Sequence, residues 1–410
     1  MKTTPTPRSS PSSPGEAGED KRTRQLLDNL LSQAHRERAS DIHILPQGRE
    51  VLVYFRIDGV LVEKRSLHQA FQQPVTNRLK VLGGLDIAER RMPQDGIFST
   101  QVQGEEVRFR LSTLPTDFGE KLVLRLLVAN RLVVQLERLG APAPMMVQIR
   151  NILARPSGMV LVSGPTGSGK TSTLYALMRE MLGQNLNIVT LEDPIEYRFR
   201  GVAQSQTNGV TGYDFATGLR AILRQDPDVI MLGEIRDLTT ARIAFKAALT
   251  GHLVLSSLHT RNATEVLVRL IDMGLERYVV ASSLRAVIGQ RLVRRICDAC
   301  RTEAPLAEST RDKLKRLPRH ELRLLAGGSG LLAHGKGCAR CNDTGYRDRT
   351  GIFELMELDE PLRELIRTEG TGQAQFAEEW QKRGLPDIRQ VGFAKALEGE
   401  TTFDEVLAVT

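Results

Sequence analysis

The stretch VLVSGPTGSGKTSTLYALM, Val160 to Met178, decides the fold. It runs from apolar residues into a glycine-rich turn and then into apolar residues at helical spacing, with Lys170 at the pivot. Gly164, Pro165, Thr166, Gly167, Ser168, Gly169, Lys170 and Thr171 fit G-x-x-x-x-G-K-[ST], between the strand pattern GMVLVS and the helix pattern TSTLYALM. In that setting the glycines let successive backbone N–H groups converge on a phosphate, the lysine reaches the outer phosphates and the threonine hydroxyl can ligate Mg²⁺. A chance glycine-rich turn would lack the flanking strand and helix. The segment therefore predicts a nucleotide phosphate site in an α/β domain.

Two acidic segments supply what phosphoryl transfer needs around such a cradle. NIVTLEDPIEY is a strand pattern ending in Glu192, Asp193 and Glu196, and DPDVIMLGEIRD is another ending in Glu234 and Asp237. Acids at strand ends face the crevice where open α/β sheets bind ligands. Glu234 is the candidate to orient the attacking water, and Glu192 and Asp193 the candidates to hold the metal or its water shell. The alternative for each is an ordinary loop acid, and Asp228, earlier in its strand, reads as structural. His252 and His259 bracket the strand pattern LVLSSL and are candidates to sense a phosphate, with hydrogen-bonded core or loop histidines as the plain alternative.

Working outward, the chain has 410 residues, enough for two or three domains, and 41% apolar residues to build their cores. No apolar run is long enough to cross a bilayer, and the N-terminus lacks the apolar centre of a secretory signal, so the expected location is cytoplasmic. The net charge of +7 and pI near 9.3 are spread among 49 acids, and aromatics make up only 5%; nucleic acid is not an expected partner. Residues 1–20, rich in Pro, Ser and Thr, predict a disordered tail. Residues 21–130 carry a helix pattern, two strands around Asp58-Gly59, a second helix and two more strands, a small α/β module. Gly and Pro in ERLGAPAPMM mark a linker over 131–144. Alternating strand and helix patterns over 145–296 predict a parallel sheet covered on both faces. In VRFRLS the alternation sets Arg108 and Arg110 opposite Val107, Phe109 and Leu111, and Arg125 is a charge inside the apolar run LVLRLL, read plainly as an edge-strand charge or a buried ion pair.

The four cysteines form two identical pairs, Cys297-x-x-Cys300 and Cys338-x-x-Cys341. In a reducing compartment such pairing points to a tetrahedral four-thiolate site for structural Zn²⁺, with a redox pair as the alternative. The long spacer contains STRDKLKRLPRHELRLL, which predicts an inserted helix, so 297–341 is expected to be a zinc-binding insertion and 342–410 a helical C-terminal subdomain.

Together the P-loop, TLEDPIEY, ILRQDPDVIMLGEIRD (222–237) and TGHLVLSSLHTRNA resemble the secretion ATPases that power type II secretion and type IV pilus assembly. SDIHILP, FRIDGVL, MPQDGIFS, LSTLPTDFGEKLVLRLL and GETTFDEVL match the same family in the same order, from about residue 22 to the end. The resemblance implies a PAS-like N-terminal module, a RecA-like P-loop core, and hexameric rings that use ATP and Mg²⁺ to move inner-membrane platform proteins. It makes Glu234 the catalytic Walker B glutamate, gives Glu192 and Asp193 to the Asp box and His252 and His259 to the His box, and implies that Arg110 and Arg125 reach the ATP phosphates. GCARCNDTGYRDRTGIFEL resembles the zinc segment of the assembly branch, which retraction motors lack. A nonenzymatic nucleotide-gated ring component is the contrasting reading. In the family an assembly ATPase commonly carries a further N-terminal docking domain, where residues 1–20 predict only a short tail.

Overall fold

The computed structural model describes residues 14–127, 135–315 and 331–410 and divides into two units, Met1–Asn130 and Arg131–Thr410. In the first unit, α1 (Pro14–Arg36) precedes β1 (Asp41–Gln47), β2 (Glu50–Ile57) and β3 (Val60–His68); α2 (Gln72–Gly83) then leads to β4 (Gln94–Val102), β5 (Glu105–Thr116) and β6 (Gly119–Leu127). The strands form one antiparallel sheet in the order β3-β2-β1-β6-β5-β4. One face is apolar, with Ile42, Phe55, Phe109, Leu111 and Leu124 packed with Leu27, Leu30, Leu79 and other residues of α1 and α2. That separation follows from the two-residue strand period, which sends Val107, Phe109 and Leu111 to the core and leaves Arg108 and Arg110 outside.

Asp58 and Gly59, both at positive φ, close the β2–β3 hairpin. β1 and β4 are strands that the sequence patterns did not reveal. β1 carries a proline, Pro46, and β4 is mostly polar, so neither displays a long apolar alternation. Helix α1 begins at Pro14, inside the stretch predicted to be a disordered tail, which corrects the 1–20 boundary; residues 1–13 lie outside the described residues.

The second unit contains α3 (Ala143–Leu153), β7 (Gly158–Ser163), α4 (Lys170–Met181), β8 (Ile188–Glu192), β9 (Ala203–Gln206), α5 (Phe215–Ile222), β10 (Val229–Leu232), α6 (Leu238–Leu249) and β11 (Leu253–Leu258). It continues with α7 (Ala263–Asp272), α8 (Arg277–Ser283), β12 (Leu284–Ile296), β13 (Arg301–Pro305), α9 (Glu308–Lys315), β14 (Leu331–Gly335) and β15 (Tyr346–Glu357). The chain then ends in α10 (Glu360–Arg367), α11 (Gln373–Lys382), α12 (Ile388–Leu397) and α13 (Phe403–Val409). Seven strands make the main sheet, in the order β15-β12-β7-β11-β10-β8-β9. All neighbours are parallel except β15, which runs antiparallel to β12. β7, β8, β10 and β11 are buried at every position, as expected of strands covered on both faces, and two apolar clusters fill the two sides.

The segment predicted as a helical C-terminal subdomain opens with the twelve-residue strand β15, inside the main sheet. Thr350 to Met356 is buried at every position, so no two-residue alternation announced it. Between β12 and β15 the chain makes the two-stranded ribbon β13–β14 and the helix α9. Part of the predicted linker (131–134) and part of the predicted inserted helix (316–325) lie outside the described residues.

Candidate functional site: a phosphate cradle lined by three strand ends

Strand order builds the site. Because β7, β11, β10 and β8 are consecutive neighbours, all parallel, their C-terminal ends deliver the P-loop, His259, Glu234 and Asp193 in a row. Backbone bonds lock these ends together: Gly164 N–H donates to Leu258 O (3.3 Å), Ile235 N–H to Ser257 O (3.1 Å) and Gly233 N–H to Leu191 O (2.9 Å).

The cradle itself fits a phosphate. Gly169 takes a left-handed conformation (φ 91°) at the N-cap of α4, where a Cβ would lie 2.8 Å from Gln290 Nε2. No side chain caps this helix, so its first N–H groups point at the cradle, and the buried Ser168 Oγ has no partner within the protein. Such a helix start, with its partial positive charge, is an anion site. Thr171 sits half-buried in the first turn of α4.

Lys170 folds over the loop, its Nζ donating to Gly164 O (2.9 Å) and Pro165 O (3.0 Å) and lying 3.4 Å from His259 Nδ1. His259 Nε2 is 3.2 Å from Glu234 Oε2, so one imidazole bridges the lysine and the carboxylate. Arg236 Nη2 donates to Glu234 Oε1 (2.5 Å) and lies 3.7 Å from Asp193 Oδ2. Burial works to raise the Glu234 carboxyl, but the Arg236 hydrogen bond and charge and the neighbouring His259 hold it below the usual carboxylate range. Glu234 is thus an ionised acceptor beside the cradle.

Burial brings the Lys170 ammonium down to about 8, against the raising effect of Glu234 and with Arg291 lowering it further. A bound phosphate favours the charged ammonium and raises this value, so nucleotide binding takes up a proton near pH 8 and weakens as pH rises through that range. Calorimetry at pH 8.5 in two buffers of different ionisation heat is expected to detect the uptake. Binding heats independent of the buffer would remove it.

Two residues expected at the site are elsewhere. His252 precedes β11, at the opposite end of the strand from His259; its carbonyl accepts from Gly158 N–H at the start of β7, and its Nδ1 lies 3.0 Å from Ala247 O. About 20 Å of strand separates the two ends, so His252 is a half-buried structural histidine. Glu192 points inward and is almost fully buried: Tyr175 Oη donates to its Oε2, and Thr190 Oγ1 (2.6 Å) and Gln204 Nε2 (3.1 Å) donate to Oε1. With both oxygens engaged it fixes β8 to α4, and of the two Asp-box acids Asp193 is the one near Arg236 and Glu234. Asp228 accepts from Asn187 N–H (2.7 Å) and Asp237 caps α6, both structural.

In the first unit Arg110, Arg125, Asp41 and Arg56 are register partners across four strands on the face away from the core. Arg125 is 61% exposed, with Nε 2.9 Å from Asp41 Oδ1, and so is not a buried ion pair. Arg110 is 45% exposed and lies 3.7 Å from Asp95.

Sequence reasoning missed Arg236, Tyr175 and Gln290. Arg236 sits in the GEIRD segment next to Glu234, and its charge two residues beyond the acid was the available signal. Tyr175 and Gln290 carry no local signal, since their roles arise from contacts with Glu192 and with Thr173 (2.6 Å).

The four cysteines converge. Their sulfurs lie within 4.8 Å of one another, with Cys297–Cys338 at 4.0 Å, Cys300–Cys341 at 3.9 Å and Cys338–Cys341 at 3.7 Å. Four thiolates around a tetrahedral ion with ~2.3 Å bonds stand about 3.8 Å apart, so the set fits such an ion. Cys338 N–H (3.2 Å) and Gly345 N–H (3.3 Å) donate to Cys341 Sγ and, against the raising effect of burial, hold its thiol down to about 7. The cluster closes the loop where β12 leaves the sheet and β15 returns to it.

Residues 16–408 match the family described as type II/IV secretion system protein. The chain is 45% identical over 400 residues to the type II secretion system protein E of Aeromonas hydrophila, an alignment covering 96% of this chain and 77% of that one. It is 42% identical over 396 residues to the type IV pilus assembly ATPase PilB of Myxococcus xanthus, covering 96% and 69%. Among solved structures, the pilus retraction motor PilT with bound ADP has a TM-score of 0.60 at 25% identity, covering 93% of this chain and 96% of that one. The Legionella pneumophila ATPase DotB, at 21% identity and a TM-score of 0.67 over 94% and 95%, shares the fold. With the cradle, its acids and the cysteine cluster all within the matched residues, the chain belongs to the type II/IV secretion system protein family.

Proposed function

We propose that this chain is the ATP-hydrolysing motor of a type II secretion or type IV pilus assembly system, working as a homohexameric ring on inner-membrane platform proteins from the cytoplasmic side. The observation that carries the reading is the Lys170–His259–Glu234 cluster at the mouth of the P-loop: a cation for the phosphates, an ionised carboxylate for water and an imidazole linking the two. The names of relatives 42–45% identical over most of the chain support it. Among the described residues no helix is long and apolar enough to cross a membrane, which accords with attachment through partners.

In this reading Gly164 to Thr171 bind the nucleotide phosphates, with Mg²⁺ held by Thr171 and, through water, by Asp193. The ion would offset the charge that develops on the phosphates. Glu234 accepts a hydrogen bond from the attacking water, and Arg236 keeps Glu234 ionised. His259 reports the outer phosphate to the loop that follows β11. Arg110 and Arg125 supply fixed positive charge to the phosphates, a role to which guanidinium suits better than ammonium because its donors grip in pairs. Cys297, Cys300, Cys338 and Cys341 hold a structural Zn²⁺, which favours the assembly over the retraction reading.

Purified protein is expected to release phosphate from ATP only with Mg²⁺, and more per chain at concentrations where it sediments as a ring. No release above the Glu234→Gln background would leave a nucleotide-gated ring component. The protein is also expected to contain about one zinc per chain. Metal analysis that finds none under reducing conditions removes that site, and stripping the metal is expected to unfold the 297–341 loop before the P-loop region.

A further inference from the structure

Glu354, on β15, is 3% exposed and lies in the wall of a cavity of about 670 Å³ that is also lined by Pro165, Arg261, Asn262, Arg291 and Asp387. Its two carboxylate oxygens serve two different helices. Oε1 accepts from Ala263 N–H (2.5 Å), the first residue of α7, and Oε2 from Ile388 N–H (3.3 Å), the first residue of α12. Asn262 and Asp387 cap the third N–H of each helix, and the Glu354 carboxyl takes the first N–H of each, so one side chain between two helix starts is held from both sides.

The first of these helices matters to the nucleotide site. Only Thr260, Arg261 and Asn262 separate His259 from Ala263. Arg291, 8% exposed, grips the same loop from below: its Nη2 donates to Arg261 O, and its Nε donates to Val409 O (3.2 Å) in the last helix. The loop that carries His259 is thus tied to β15, β12 and the C-terminal helices by two buried side chains, Glu354 and Arg291; burial pushes the Glu354 carboxyl up to about 7, against the lowering effect of the Ala263 and Ile388 N–H donors. Gly289, the register partner of Glu354 across the β12–β15 ladder, leaves the room this requires, since a Cβ there would lie 2.4 Å from Glu354 Oε1.

We propose that Glu354 is a positioning residue for hydrolysis: it fixes the His259 loop through the first N–H of α7, and makes that placement answer to the C-terminal helices through the first N–H of α12. This rests on the reading of His259 and Glu234 as the hydrolytic pair. A shift of α12 and α13 relative to the sheet is felt at His259 through one carboxylate, and a phosphate at His259 is felt at α12 by the same route.

The test measures kcat and KM for ATP, ADP affinity and melting temperature in the full chain. In Glu354→Gln the amide NH₂ must face one of the two N–H groups, so one helix start loses its acceptor. Expected is a fall in kcat of roughly tenfold or more with ADP affinity within about twofold, because the P-loop is untouched. A purely structural role would lower the melting temperature and leave kcat of the folded protein unchanged at low temperature, and that result overturns the proposal. His259→Ala, measured in parallel, separates the two layers. Normal turnover there means that the site reading has failed, and with it the route through His259; impaired turnover there with normal turnover in Glu354→Gln means that this inference alone has failed.

Should Glu354→Gln not fold, Gly289→Ala displaces the intact carboxylate from Ala263 and is judged by the same split between kcat and ADP affinity. Ile388→Pro tests the C-terminal half. Proline is tolerated at a first helical position, and Asp387 is already extended (φ −77°, ψ 172°), so this variant removes that N–H; because Ile388 also packs in the C-terminal apolar cluster, Ile388→Ala, which keeps the N–H, is the reference against which turnover is compared. Turnover lowered severalfold supports the tie to α12. Wild-type turnover in Ile388→Pro overturns it.

Discussion

Replacing Glu234 with glutamine is expected to lower ATP turnover by about 10²–10⁴-fold while leaving nucleotide affinity nearly unchanged, the range that removal of a positioned general base produces. Glutamine keeps the shape of the side chain and an oxygen for Arg236 or His259. It loses the charge, and with it the ability to accept a proton or a strong hydrogen bond from the attacking water. The carboxylate is ionised at neutral pH because Arg236 and His259 outweigh the effect of burial, so the wild-type group already carries the charge an acceptor needs. Affinity is expected to survive because, in the proposed reading, the phosphates are held by the P-loop and by Lys170, whose Nζ bonds to Gly164 O and Pro165 O and not to Glu234. Single-turnover hydrolysis with separately measured ADP binding checks both halves. Turnover within a few-fold of wild type would take the role from Glu234 and leave Asp193 as the remaining acid beside Arg236.

Arg125→Ala separates stability from catalysis. If Arg125 acts on charge that develops on the phosphates, as the resemblance implies, its loss is expected to reduce turnover by on the order of 10³-fold. The cost to folding should be small, about 1 kcal/mol or less, because its partner Asp41 keeps Ser40 Oγ (2.8 Å) and has Arg56 at 3.8 Å, and the Arg125 side chain is mostly exposed. A buried arginine paired inside its own unit would instead have cost roughly 3 kcal/mol or more when truncated. The two readouts are the melting temperature and the turnover rate, taken at concentrations that keep any ring assembled. A stable, inactive variant supports action on the phosphates. A variant that turns over ATP normally ends that role for Arg125, whatever its melting temperature.

Much of the site was legible because its chemistry is local. Lys170 and Thr171 must follow the glycines of the P-loop, and a strand before and a helix after are visible as changes in apolar period. Glu234 could be picked from its position just past an apolar strand, and the cysteines from two short spacings whose meaning does not depend on the residues between them. What failed shared one cause. His252 and Glu192 both lie beside a strand end and inside a recognisable motif, but the motif does not state which end of the strand faces the phosphate or which way a side chain points. His252 is at the wrong end of β11, and Glu192 turns toward Tyr175.

By itself, then, the sequence determined the phosphate cradle, the parallel sheet, the two-faced strand carrying Arg108 and Arg110, and the thiol pairs, because each is fixed by periodicity or by spacing over a few residues. Tertiary structure alone decided the rest. The order β7-β11-β10-β8 sets His259 between Lys170 and Glu234, although these residues lie far apart along the chain. Strand β15, buried throughout from Thr350 to Met356, returns from the cysteine loop to pair with β12 and carries Glu354 to two helix starts at once. Those arrangements depend on long-range pairing, which is governed by which apolar faces bury one another and which buried polar groups find partners, and no window of sequence contains both sides of such a contact.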